Sequence, residues 1–160
     1  MKKIIGIAGV FALLTGAANA ADKSSSLEAI HSKHMVAEAM LTAHFVAAAL
    51  KAGMERDEIN AVLTRIAERS AVTEFWVSDE KGRVVFTNVK RVDFIFPTDP
   101  EAGTQAAPFA ALLDGSKAVV TQESRPREAD RKVFKYVGAA GVDRPRIVQV
   151  GISAEEFGKR

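Results

Sequence analysis

The sequence predicts an α+β fold, with helices first and then a run of strands that no helical crossover interrupts. Two observations carry this. From Leu27 to Leu50 apolar residues recur at helical spacing with no Gly or Pro between them. From Thr73 to Ser153 β-branched and aromatic runs alternate with turn-forming residues. Strands that follow one another without a crossover helix pair antiparallel, so the sheet is antiparallel and the helices segregate to one side.

Each element has its own signal. Ser25 followed by Glu28 fits a capping box, in which each side chain satisfies the other residue's backbone N–H, and this places the start of a long helix over about 26–52. One apolar line on it runs through Leu27, Ile30, His34, Ala37, Leu41, Phe45 and Ala48, a second through Val36, Met40, Ala43, Ala47 and Leu50. Gly53 is a natural C-terminal stop. A shorter helix follows over about 55–69, with Ile59, Val62, Leu63 and Ile66 on its inner face. Thr73 to Asn88 reads as a β-hairpin turning at Asp79-Glu80-Lys81-Gly82, where Gly82 supplies a left-handed residue.

Lys90 to Ala107 is irregular: Val92, Phe94 and Phe96 alternate ahead of Pro97, and a turn-rich stretch follows. Pro108 to Leu113 predicts a short helix ended by Asp114-Gly115. Ala118–Glu123, Lys132–Gly138 and Arg146–Ile152 predict three more strands, the last two joined across Gly141-Val142-Asp143-Arg144-Pro145. The sheet therefore covers about 73–153, and residues 21–160 form one domain.

Residues 1–20 read as a secretory signal. Lys2 and Lys3 give the positive start, Ile4 to Leu14 the apolar stretch, and Ala18-Asn19-Ala20 a small-x-small cleavage site. The apolar part falls short of the roughly 20 residues that span a bilayer. The expectation is a cleaved, soluble, periplasmic or secreted protein. The whole chain has 22 basic and 20 acidic residues; two lysines and no acid lie within the signal, so the remainder is balanced and gives no reason to expect nucleic-acid binding. There is no cysteine, so folding rests on a packed core rather than on disulfides.

The order of a long N-terminal helix, then FWVSDEKGRVVFTN, FAALLDGSKAVVTQE and VFKYVGAAGVDRPRIVQVGI, resembles a single extracytoplasmic Cache domain over about Ser26 to Ser153. The resemblance implies a PAS-like five-stranded antiparallel sheet packed against the long helix. It also implies capture of a small metabolite (an organic acid, an amino acid or similar) between the sheet and the segments that cross it, in the service of signal transduction such as chemotaxis. Here the chain departs from the receptor pattern, since no apolar stretch follows Ser153. The listener is then expected to be a different chain, with the long helix pairing in a homodimer. The alternative is a protein-interaction module without its own ligand, pairing through that helix with a membrane-bound chemoreceptor or kinase.

Candidate ligand-binding residues follow from strand alternation and loop chemistry. Arg127, stiffened by Pro126 within a cluster of Arg125, Arg131, Glu123, Glu128 and Asp130, suits a bidentate clamp on a ligand carboxylate; the plainer interpretation is a solvated loop. Phe134 and Tyr136 share one face of their strand, opposite Val133, Lys135 and Val137. Tyr136 puts a hydroxyl at the tip of an apolar ring, and Gln149 is a lone amide among apolar neighbours. A buried amide needs hydrogen-bond partners, which are either protein groups or a ligand. Trp76, Phe94 and Phe96 complete the set as apolar walls or as plain core.

No metal, cofactor or catalytic activity is expected. His31, His34 and Glu38 share a helix side, but His44 lies off that line and the spacing matches no zinc signature. There is no Gly-x-Ser-x-Gly turn, and Gly138-Ala-Ala-Gly141 lacks the following helix that would cradle a phosphate. Asp79, Glu80 and Asp143 sit in turns, where backbone hydrogen bonding explains them.

Overall fold

The computed structural model describes residues 14–90 and 93–157. Most of the predicted signal, and Val92, lie outside them. The chain divides into two units, residues 1–33 and 34–160. In the first, helix α1 begins at Leu14; it ends in the second at Lys51. It is therefore continuous through Ser24-Ser25-Ser26, and Ser25 and Glu28 do not mark its start as the capping-box pattern predicts. Among the described residues no helix is long and apolar enough to cross a membrane.

Helix α2 (Arg56–Ala67) opens on a different capping box, Glu55 with Glu58, whose carboxylate accepts the Glu55 N–H at 2.8 Å. Six strands follow: β1 (Glu74–Ser78), β2 (Val84–Thr87), β3 (Val119–Thr121), β4 (Arg125–Pro126), β5 (Val133–Ala140) and β6 (Ile147–Ser153), closed by the short helix α3 (Ala154–Phe157). All pairings are antiparallel, and five strands run in the PAS-like order β2-β1-β6-β5-β3. The two-residue β4, absent from the sequence reading, pairs with β5 beside β3. The α+β class and the five-stranded antiparallel sheet packed on a long helix stand as the sequence predicts.

Strand alternation sends alternate residues to two cores. On the helix side Phe75 and Val77 of β1, Val137 and Ala139 of β5, and Val148, Val150 and Ile152 of β6 pack against α1 and α2. The other face carries Phe134, Tyr136 and Ile147 under Phe96, Phe109 and Leu112. The stripe of α1 that is buried is Met35, Ala39, Ala43, Val46 and Ala49, each at most 4% exposed. This corrects the sequence reading. Ile30 and Leu41, on the first predicted line, are 46% and 69% exposed, and Met40 on the second is 48% exposed. Met35 and Val46 supply the bulk of this stripe and the alanines lie between them, all in the core shared with the sheet. Helix α2 buries Ile59 and Leu63, whereas Ile66, predicted on its inner face, is 41% exposed.

The hairpin turn forms as predicted. Asp79 Oδ1 accepts the backbone N–H groups of Lys81 and Arg83, each at 2.9 Å, and Gly82 takes φ 80°. A Cβ on Gly82 would also collide with the Phe96 carbonyl, because the segment after β2 lies against the hairpin: the Phe96 N–H donates to Gly82 O at 2.8 Å. Ala107–Leu112 is a 3-10 helix rather than an α-helix, with five of its six residues buried. It rests on β5 where Gly138 has no side chain. A Cβ there would lie 2.7 Å from Phe109 Cδ1 and 2.8 Å from Leu112 Cδ1. Gly138→Ala is therefore expected to push this helix off the sheet and to cost about 1–3 kcal/mol, the usual cost of overpacking, as measured by urea denaturation.

Candidate functional site

The face of the sheet away from α1 is not filled. Phe94 to Pro97, Thr104 to Ala106, Phe109 and the loop at Arg127 to Ala129 stand over β1, β5 and β6 and border a half-open cavity of about 470 Å³. All six residues singled out in the sequence line it: Trp76, Phe94, Phe96, Arg127, Tyr136 and Gln149. The structure brings them together from β1, the segment after β2, the β4–β5 loop, β5 and β6. A wider groove of about 560 Å³ adjoins it between Pro100, Pro108, Arg125 and Arg131, but nearly all of its lining is exposed.

One wall is aromatic. Trp76, Phe94, Phe96 and Phe109 meet edge to face in sequence, with centroid separations of 5.7, 5.0 and 6.3 Å. Across from them Phe134 and Tyr136 stack at 5.4 Å with an 8° interplanar angle, and the Arg127 guanidinium lies 4.3 Å above the Phe134 ring.

The polar end is organised by a residue the sequence reading missed, Glu74. Its residue is 8% exposed, on the cavity face of β1. Oε1 accepts from Arg127 Nη1 at 2.6 Å, and Oε2 accepts from the Tyr136 hydroxyl at 2.9 Å and from Trp76 Nε1 at 3.1 Å. The signal was present: Glu74, Trp76 and Ser78 alternate with Phe75 and Val77, so a carboxylate on the face of Trp76 is legible at the first strand.

Strand register explains why Tyr136 reaches Glu74 across an intervening strand. Gly151 of β6 pairs with Glu74 on one side and with Tyr136 on the other. A Cβ on Gly151 would lie 2.5 Å from Tyr136 Cε1, so the glycine is the space into which the ring leans. The next row is Trp76, Gln149 and Gly138, which sets Gln149 in the cavity floor between the indole and the strand under Phe109.

Arg127 does not present a free fork. Its Nε and Nη2 donate to the two oxygens of Asp130 at 2.6 and 2.7 Å, while Nη1 serves Glu74 and, at 3.4 Å, the Tyr136 hydroxyl. Both edges of the guanidinium are engaged by the protein's own carboxylates. The hydrogen bonds that Arg127 donates to Asp130 raise the Arg127 pKa. The same bonds bring Asp130 down to about 2. Burial, reinforced by the Glu74 charge, raises the Tyr136 hydroxyl, which stays protonated and donates.

Three glutamines differ in how they are satisfied. Gln122 Nε2 donates to the Gln105 carbonyl at 2.6 Å, and Gln105 Oε1 accepts the Glu128 N–H at 3.2 Å; this leaves Gln122 Oε1 and Gln105 Nε2 buried without partners. The Gln149 residue is 6% exposed, and its carboxamide has no hydrogen-bond partner among the described residues. No protein-family model matches the chain, and no curated protein matches it.

Removing Arg127 leaves the Glu74 carboxylate buried with its main counter-charge gone. Breaking a buried pair costs about 3–5 kcal/mol, and since the Arg127 side chain is 23% exposed the expected loss for Arg127→Ala is nearer 2–3 kcal/mol. Adding Glu74→Gln should return part of it in a double-mutant cycle read by denaturation. The depressed Asp130 carboxyl makes a second measurement. Its contribution is complete above the ordinary carboxylate pKa of about 4 and is lost as pH falls through about 2. In an NMR titration its midpoint should lie near the lower value, and in Arg127→Ala it should return toward the higher.

Proposed function

We propose that the protein is an exported small-molecule sensor domain of the Cache type, which captures a metabolite between its sheet and the covering segments and hands the bound state to another chain. The observation that carries this reading is the cavity over β1, β5 and β6. Its volume of about 470 Å³ falls within the range typical of ligand sites, about 300–1,000 Å³. Its make-up is also that of such sites, with aromatic walls and a few polar groups held in fixed positions. The N-terminal Lys2, Lys3, apolar stretch and Ala18-Asn19-Ala20 support export to the periplasm or the medium. In this reading the residues act by binding, and catalysis has no place in it. Trp76, Phe94 and Phe96 enclose the ligand, Gln149 contacts it from below, and Glu74, Arg127 and Tyr136 hold the polar end in shape.

A second reading is favoured by Ile30, Met40 and Leu41, large apolar residues exposed on α1. In it the protein pairs through that helix, with a second copy or with a membrane-bound chemoreceptor or kinase, and has no ligand of its own.

Thermal-shift screening of the full chain against amino acids, carboxylates, amines, amides and nucleobases separates the two. A ligand present at 100 times its dissociation constant adds about 2.7 kcal/mol of stability, a plain shift in Tm. No shift with any member of that panel would overturn the sensor reading and leave the interaction module.

A further inference from the structure

Resting on the small-molecule reading above, we propose that the ligand is uncharged and planar, and carries a hydrogen-bond donor and acceptor side by side, the edge of a carboxamide, a lactam or a nucleobase. The proposal turns on which polar groups in the cavity are still available. Arg127, the residue best suited to a carboxylate, has both edges occupied by Glu74 and Asp130. Glu128, which also lines the cavity, accepts the Gln105 N–H at 2.8 Å and adds a further carboxylate to this wall. An anion entering here meets no open fork on Arg127, and the carboxylates of Glu74 and Asp130 stand in its place on that guanidinium.

Gln149 is the complementary observation. Its carboxamide sits in the cavity floor without a partner among the described residues, in a residue 6% exposed. An amide open to the cavity has to be matched in both donor and acceptor by whatever displaces the solvent from it. A carboxamide offers one donor and one acceptor in a single plane. Against a carboxylate, which only accepts, half of that edge is repelled; against an amide or a nucleobase edge both halves pair, the geometry by which Gln and Asn bind adenine. The rings of Trp76, Phe94 and Tyr136 around it favour a flat, apolar body, since a base or an aromatic amide gains from stacking on such rings.

Three ring compounds of similar shape test this by charge: nicotinamide, nicotinate and benzylamine, titrated into the full chain by calorimetry, with benzamide, benzoate, adenine and uracil beside them. The expected result is at least one neutral compound binding tenfold or more tighter than the matched anion and cation. Gln149→Leu should weaken that binding tenfold or more, yet leave the Tm of the ligand-free protein unchanged or raised, because no protein hydrogen bond is lost and the side chain stays apolar against its neighbours. Tighter binding of nicotinate, benzoate or benzylamine than of any neutral compound would overturn the inference and leave the sensor reading in place. Neutral compounds that bind Gln149→Leu undiminished would also overturn it. If none of the seven binds at 10 mM, in a protein that shows shifts with other members of the wider panel, the edge assigned here is wrong; if nothing in either panel binds, the sensor reading falls with it.

Discussion

A buried carboxylate sets the terms for this fold. Glu74 lies on the inner face of a central strand, where desolvation would be costly unless its oxygens were met by donors. They are met by Arg127, Tyr136 and Trp76, which come from a loop, a strand two places across the sheet and the same strand. Each of these partners is constrained in turn. Arg127 is held from behind by Asp130 and from below by the Phe134 ring, so the β4–β5 loop has to fold over the sheet instead of extending into solvent. Tyr136 needs the bare backbone of Gly151 beside it. One charge on β1 therefore fixes the position of a loop some fifty residues later in the chain, and that loop is one wall of the cavity.

The two faces of the sheet were built to different rules. Toward the helices the strands present Phe75, Val77, Val137, Val148 and Val150, aliphatic or aromatic side chains that close against small residues of α1. Polar groups are few there, the buried Lys135 of β5 and Thr42 of α1 among them, and packing decides most of the fit. Toward the cavity the residues are aromatic or bear amides and charges, and they come from the irregular segment 93–106 as much as from the sheet. Large flat side chains meeting edge to face leave gaps that aliphatic ones would fill. The polar network then prevents collapse into those gaps, since closing them would mean displacing groups whose hydrogen bonds are already made.

Much of this was legible in the sequence, because strand alternation is a strict rule. It separated Phe134 and Tyr136 from Val137, and it picked out Gln149 as the odd polar residue. It did not deliver Glu74, which escaped notice as the first residue of a strand whose aromatic neighbours dominated the reading. The helix was harder. With alanine at so many positions, α1 carries several apolar stripes, and periodicity cannot say which of them the sheet will take; the one buried runs through Met35, Ala39 and Val46. The state of Arg127 was not legible at all. An arginine among acids in a loop reads equally well as a ligand clamp or as an internal brace. Only the arrival of Glu74 from 53 positions away decides that its donors are spoken for.

That decision changes how the site is understood. An arginine with a free fork would make the loop a hand waiting for an acid, and its geometry would depend on the ligand being there. With both edges braced, the loop is formed before any ligand arrives, so little ordering entropy is left to oppose binding. What remains unpaired is small and specific: the Gln149 amide in the floor, among aromatic side chains, together with Gln122 Oε1 and Gln105 Nε2 of the same lining. A protein core ordinarily eliminates such a group, by pairing it or by replacing it with leucine. The presence of Gln149 at the floor of this face, beside the partly unpaired Gln105 and Gln122, is the feature that packing alone does not account for.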